Sequence, residues 1–294
     1  MCVIVPRFCP DPMELKIAAS IVTYNTDKDE LARCIASLLH DRVGRIYICD
    51  NSPDDSLREI CGLSEKLRYM HNPANPGYGS AHNAAIRASL REGYAYHLVI
   101  NSDVYFEPGV MPELASVMEK DREVVQITPN VVYPDGRTQY ACRLLPTPAD
   151  LIMRRFFPFL LSKKRKSRYL LEFFNRKRCA DVPYHMGCFM FFRSSAFEKA
   201  GMFDERFFMY PEDIDITRRM HRIGKTLFWP GATIVHAHRA ESYRSIRMLC
   251  IHSVNMIRYF NKWGWFRDGE RKEFNRRVLS ELGYEARQNA PHAS

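Results

Sequence analysis

The chain has 294 residues, 46% of them hydrophobic and 26% charged, with a formal net charge of +9. That length suits one large α/β domain or two small ones, and the composition excludes wholesale disorder. The positive balance implies an anionic partner (phosphate, nucleic acid or acidic lipid) without choosing among them.

Residues 1–15 read as a proline-interrupted lead-in. The apolar run Ile17 to Val22 predicts a buried strand that ends at Thr23-Tyr24-Asn25. A helix is expected from Asp27 to His40, with Leu31, Ile35 and Leu38-Leu39 on one face. Arg45 to Cys49 predicts a second strand, 54–63 a second helix, and Leu67 to Met70 a further short run before a loop of Asn and Pro. A helix over Ser80 to Glu92 and a strand over Tyr96 to Ile100 follow. Strand and helix alternating through short connections favour a parallel sheet covered on both faces.

Past residue 123 the alternation fades. Val124 to Thr128 and Cys188 to Arg193 predict strands, and 130–148 reads as loop. Ser194 is a candidate cap for a short helix stopped by Gly201, and a helix over Ile216 to Ile223 stops at Gly224. Two short strands, Thr226 to Trp229 and Thr233 to His236, precede a long helix over 244–263, and the last twenty residues read as a fraying polar tail. The expected organisation is a lead-in (1–15), a catalytic domain (16–240, with halves 16–125 and 126–240) and a C-terminal helical region (241–294).

Nine cysteines, an odd count without a CxxC pair, argue against zinc and disulfides and for a reducing compartment with mostly buried thiols. No apolar run approaches the ~20 residues of a spanning helix, and the N-terminus is too interrupted for a secretory signal. The expectation is a cytoplasmic protein. Residues 154–178 carry ten Lys or Arg against one Glu, interleaved with aromatics and leucines. Such a stretch suits the inner face of an anionic membrane, or an ordinary helix pair with a solvated face. No nucleic-acid motif accompanies the charge, so no nucleic-acid partner is expected.

Three acidic clusters stand where predicted strands or turns end: Asp50-Asn51-Ser52, Asn101-Ser102-Asp103 and Glu212-Asp213-Ile214-Asp215. Carboxyl ends of parallel strands converge on one crevice. Asp50 is a candidate for ribose or base hydroxyls and N–H groups, although Asp-Asn-Ser is also a common turn. Asp103 is a candidate anchor for Mg²⁺ or Mn²⁺, which bridge carboxylates to phosphates. Of the third cluster, Glu212 and Asp215 would share one face of a helix and Asp213 another. A carboxylate there could act as general base, and acidic residues also simply favour a helix N-terminus.

In Asn75-Pro76-Gly77-Tyr78-Gly79-Ser80-Ala81-His82-Asn83, two glycines permit close backbone approach to a ligand, and the following helix start suits an anion. Gly187 offers similar room for a donor sugar. His236 and His238 alternate at the end of a short strand, so either could complete a metal shell. A Rossmann dehydrogenase would need Gly-x-Gly-x-x-Gly after the first strand, where this chain has Thr23-Tyr24-Asn25.

Taken in order, Thr23-Tyr24-Asn25, Asp50-Asn51-Ser52, Asn75-x-Gly-x-Gly with Asn83, Asn101-Ser102-Asp103 and Phe203-Asp204-Glu205 leading into Glu212-Asp213 resemble a family 2 glycosyltransferase of the GT-A fold over residues 16–263. Within that family Phe203 to Asp215, His236 and Tyr259-Phe260-Asn261-Lys262-Trp263 resemble the rhamnosyltransferase-like branch that builds bacterial O-antigen and related cell-surface polysaccharides. The resemblance implies an α/β fold with a mostly parallel sheet, helices on both faces and a C-terminal helical extension. It implies inverting, metal-dependent transfer from dTDP-rhamnose or a UDP-hexose onto a growing saccharide on a polyprenyl diphosphate. It further implies nucleotide-sugar binding by Thr23, Tyr24, Asn25, Asp50, Asn51, Asn75, Gly77, Gly79, Asn83, Asn101, Ser102 and Gly187, a metal at Asp103 and His236, and Asp213 as base with Glu212 beside it. One departure is that Asn101 stands where the family often has a first aspartate. The competing readings are a nucleotidyltransferase on a similar sheet and an inactive nucleotide-sugar-binding module.

Overall fold

The computed structural model describes residues 16–157, 159, 162–237 and 246–284. Its centre is a nine-stranded mixed sheet. Strands β1 (Ile17–Thr23), β2 (Arg45–Asp50), β3 (Leu67–His71) and β4 (Tyr96–Asn101) lie parallel in the order β3-β2-β1-β4. The second half of the sheet adds β10 (Phe189–Arg193), antiparallel to β4, then β6 (Val124–Val132), β11 (Lys225–His236) and the edge strand β5 (Val104–Tyr105). The short β8 (Ala180–Asp181) pairs with β11, and β7 (Cys142–Arg143) with β9 (Tyr184–His185) form a separate ribbon.

Side chains alternate across the sheet, and both faces are covered. Ile17, Ala19 and Ile21 of β1 join Leu98 and Ile100 of β4 in a core with α1 (Lys28–His40) and α3 (Val110–Lys120). Ala18 and Val99 face the other way, towards α2 (Tyr78–Arg91), α6 (Ala196–Ala200) and α7 (Glu212–His221). Mostly apolar strands are what a sheet buried on both faces requires, and the buried polar pair Ser20 and His97 is satisfied by a hydrogen bond of 2.9 Å. A further cluster joins α8 (Ile246–Trp263) and α9 (Gly269–Glu281) to Ile214, Phe228 and Tyr169, on the flank of α4 (Pro148–Phe156) and α5 (Lys163–Tyr169).

Several expectations are corrected. Residues 54–63 form only a 3-10 turn over 58–63, because Asp54 and Asp55 turn their side chains onto Ser56 N–H and the Arg58 guanidinium instead of extending a helix. The strand from Val124 runs on to Val132, into the stretch read as loop. The two strands ending at His236 are one, β11, with a register break between Trp229 and Thr233 around Pro230-Gly231. The polar tail contains most of α9, whose Val278 and Leu279 are buried and whose Asp268 caps its start. Four described cysteines are buried, Cys61 is half-buried and Cys179 and Cys250 are exposed, all as free thiols.

Candidate active site

Strand direction collects the candidate residues at one end of the sheet. Thr23 pairs with Asp50, and Val22 with Asn101. Because β10 runs opposite to β4, it starts where β4 stops, and Asn101 N–H donates to Cys188 O at 3.0 Å. Gly187 and Cys188 therefore lie beside Asn101-Ser102-Asp103. β11 arrives at the same end: His236 pairs with Val104, and Ala237 N–H donates to Asp103 O at 2.9 Å.

The floor on the β1/β2 side is internally saturated. Asp50 is fully buried, and its Oδ1 accepts from Thr23 Oγ1 (3.0 Å), Ser52 N (3.0 Å) and Ser52 Oγ (2.6 Å) while Oδ2 accepts from Tyr69 OH (2.5 Å). Ser52 Oγ in turn accepts from Asn25 N at 2.9 Å, and Asn51 N donates to Thr23 O. Asp50 thus locks two strand-end loops. The accessible rim is Tyr24, 51% exposed, with Asn25 in the left-handed region (φ 50°). Asn75, also left-handed (φ 48°), lies half-buried in the next loop.

The glycine loop meets the chain itself. At Gly77 (φ 97°) an added Cβ would sit 2.8 Å from Phe208 Cα, and Tyr78 N–H donates to Phe208 O at 2.8 Å. Gly79 lies against Phe203 in the same way. Asn83 is buried, with its amide on Phe203 O, Glu205 Oε1 and Phe203 N at 2.9 Å each. Gly77, Gly79 and Asn83 thus pack against or bond the 203–208 segment that leads into α7.

Asp103 and His236 form a pair. His236 Nε2 lies 3.3 Å from Asp103 Oδ1, and Nδ1 donates to Gln139 Oε1 at 2.6 Å. Gln139 fixes the ring so that Nε2 points at the carboxylate. Burial opposes a charged imidazole, but Cys188 and the Asp103 carboxylate outweigh it and lift His236 to about 10. Two acceptors converging on one point demand a positive charge between them, either a proton or a cation. The pair fits a divalent ion that takes its remaining ligands from phosphate oxygens. Among the described residues no group of three or more His, Cys, Asp or Glu forms a complete cage. Ser102 Oγ donates to Glu30 Oε1 at 3.2 Å, and His238 lies outside the described residues.

The acidic triplet does open α7, and the helix separates its members. Glu212 and Asp215 turn inward, 4% and 0% exposed. Asp215 is held by Arg219, Lys262 and Trp263 Nε1. Asp213 faces a cavity of about 340 Å³. Its Oδ2 accepts from Gly187 N (3.1 Å) and Tyr184 OH (3.4 Å), and Oδ1 from Ile214 N (2.8 Å). A Cβ on Gly187 would press on Asp213 Cβ at 3.3 Å, so the glycine lets this carboxylate approach. Burial raises the Asp213 carboxyl above its ordinary range, and burial beside Asp213 raises Glu212 to about 8. Among the described residues Glu212 Oε2 has no hydrogen-bond partner, and Glu212 does not line the cavity.

Tyr78 joins the two halves. Its hydroxyl lies 2.9 Å from both Asn101 Oδ1 and Gly187 O, and its buried phenol is pushed well up by burial and then by Glu212, Cys188, Asp213 and Asp103. All four groups are therefore within electrostatic reach of one hydroxyl. Gln139 makes a second link, since it holds His236 and lines the Asp213 cavity. Sequence reasoning missed Gln139, Arg143, Arg154, Tyr169 and Tyr184, which line this cavity from the stretch 139–184. The only signal was the density of Arg and Tyr in that stretch.

The sequence profile of glycosyl transferase family 2 matches residues 19–201. An N-acetylglucosaminyl-diphospho-decaprenol L-rhamnosyltransferase of Mycobacterium tuberculosis is 30% identical over 235 residues, covering 75% of this chain and 75% of its own. Rhamnosyltransferase WbbL of Escherichia coli is 25% identical over 249 residues, covering 81% and 90%. Among solved structures, GalNAc-T7 with UDP, GalNAc and Mn²⁺ superposes with a TM-score of 0.66 at 16% identity, over 96% of this chain and 59% of that longer chain.

Proposed function

The chain belongs to glycosyl transferase family 2 and has the GT-A fold, and from that premise we propose that it moves one sugar from a nucleotide donor to a saccharide acceptor by a single inverting displacement. The donor is dTDP-rhamnose or a UDP-hexose. The acceptor is a polyprenyl-diphosphate-linked or growing saccharide of bacterial cell-surface polysaccharide; one relative's name, N-acetylglucosaminyl-diphospho-decaprenol L-rhamnosyltransferase, supports the lipid-diphosphate form. The observation that carries this reading is the Tyr78 hydroxyl, set between Asn101 on one side and Gly187, the partner of Asp213, on the other.

Asp213 takes the proton from an acceptor hydroxyl as its oxygen attacks the anomeric carbon. The bond from that carbon to the diphosphate oxygen breaks on the opposite face, and the nucleoside diphosphate leaves. Burial makes Asp213 a stronger base than a solvated carboxylate. Tyr184 OH and Gly187 N–H hold one of its oxygens, which fixes its direction. Asp103 and His236 are the residues that would hold Mg²⁺ or Mn²⁺, which when bound offsets charge on the leaving diphosphate. The GT-A neighbour with UDP and Mn²⁺ supports that assignment at the level of fold. The nucleotide would lie over the rim of Thr23, Tyr24 and Asn25, on the floor that Asp50 locks.

The basic stretch is proposed as a contact with the inner face of an anionic membrane. Phe156, Phe157 and Phe159 are 39%, 46% and 79% exposed, and Lys163, Lys164 and Lys166 are exposed nearby. Arg165 differs from them, being tied to Asp150 at 2.7 Å. Among the described residues no helix is long and apolar enough to cross a membrane.

The test is equilibrium binding of a panel of dTDP- and UDP-sugars with Mn²⁺, with Mg²⁺ and with a chelator. At least one donor should bind, roughly tenfold or more tightly with metal. A panel that shows no binding in any condition would overturn the reading.

A further inference from the structure

We infer that Arg154, with the Tyr169 hydroxyl, forms a site for the phosphate group that links the acceptor sugar to its carrier. This rests on the glycosyl-transfer reading and specifies what the Asp213 cavity recognises. Leu151 and Arg154, three residues apart on α4, share one helix face, and both line the cavity. The Arg154 guanidinium lies 5.2 Å over the Tyr169 ring and has no carboxylate partner among the described residues. Tyr169 is 4% exposed and lines the same cavity, yet its hydroxyl has no hydrogen-bond partner among the described residues. A buried orphan hydroxyl beside an unneutralised guanidinium calls for an anionic oxygen ligand.

The placement selects which anion. Neither Asp103 nor Asp50 lines this cavity, so the donor diphosphate belongs on the other side of Gln139. Asp213 marks where the acceptor hydroxyl reacts, and Arg154 also lines the cavity, on the helix that ends in exposed Phe156 and Phe157. At about 340 Å³ the cavity is near the small end of ligand pockets of roughly 300–1,000 Å³, enough for a sugar with its linking group. An acceptor would then lie with its hydroxyl at Asp213, its phosphate at Arg154 and its lipid leaving past the exposed Phe156 and Phe157.

The experiment uses two acceptors with the same sugar: one on a diphosphate with a short prenyl chain, the other a neutral alkyl glycoside of matched length. Arg154→Gln should raise KM for the diphosphate acceptor about tenfold to a hundredfold. KM for the neutral acceptor, KM for the donor and kcat should stay within about twofold. Arg154→Lys, which keeps the charge, should recover part of the loss. Equal effects on both acceptors, or none on either, would overturn the site. A second arm measures binding of a short prenyl diphosphate by calorimetry in chelator, without donor; equal binding by the wild type and Arg154→Gln also overturns it. Release of Arg154→Gln from anionic vesicles would reassign the residue to lipid headgroups and overturn it too. A wild type that turns over both acceptors with equal KM sinks this site alone, whereas a wild type that binds no nucleotide sugar sinks the family activity beneath it.

Discussion

The two sides of the crevice differ in how their polar groups are satisfied. On the β1/β2 side every oxygen of Asp50 is engaged by Thr23, Ser52 or Tyr69, and Asn83 makes three bonds to the 203–205 backbone and Glu205. On the α7 side, among the described residues, Tyr169 OH and Glu212 Oε2 have no partners, and Asp213 is half-buried beside Glu212 with its pKa raised. Saturated groups hold loops in place before any ligand arrives. Groups left short of partners carry a cost that a substrate can relieve or a reaction can use. The chemistry is therefore expected on the α7 side and the positioning on the other.

The sharpest way to break this comparison is Asp213→Asn. It should lower kcat by about a thousandfold, with nucleotide-sugar affinity nearly unchanged in a titration; a parallel loss of affinity would make Asp213 a donor ligand instead. Replacing Lys163, Lys164 and Lys166 by Gln should weaken binding to anionic vesicles by about a hundredfold, at about 1 kcal/mol per lysine, in a flotation assay. Unchanged flotation would strip these lysines of a lipid role. Asp103→Ala should weaken donor binding roughly tenfold to a hundredfold in Mn²⁺ and hardly at all in chelator, and an unchanged metal titration would refute its role.

The smallest effect is on stability. Glu212 is buried as the neutral acid, with its pKa raised from 4.5 to about 8. In the unfolded chain it ionises near 4.5, so its contribution to stability is complete below that pH and is lost as pH rises towards 8. Glu212→Gln, neutral throughout, should match the wild type in thermal melts near pH 4 and exceed it by roughly 3 °C or more at pH 8. Equal melting at both pH values would place an ionised Glu212 in the fold. The rate has its own signature: kcat/KM should fall as pH drops through the raised Asp213 pKa, above the ordinary carboxylate range near 4.

The comparison also explains what the sequence disclosed. β1, β2 and β4 were legible because apolar runs end sharply at Thr23, Asp50 and Asn101. α7 opens at Glu212, four residues before the expected Ile216, where the acidic residues suit a helix start, and helical geometry sends Asp213 away from Glu212 and Asp215. Gly77 announced a close approach but not its partner, which is Phe208. The walls of the Asp213 cavity were hidden because β7, β8 and β9 are two residues long, too short for a periodic signal. Gln139, Arg154, Tyr169 and Tyr184 meet only through tertiary packing. In the C-terminal tail, the many charged residues of α9 masked the short apolar pair Val278 and Leu279.

The most direct test is a crystal structure with Mn²⁺ and an unreactive analogue of the donor, located by the anomalous signal of the metal. The ion should be bonded to Asp103 and the diphosphate, with the anomeric carbon open towards Asp213 across Gly187. A metal–diphosphate unit seated away from Asp103, or a sugar walled off from the Asp213 cavity, would contradict the account.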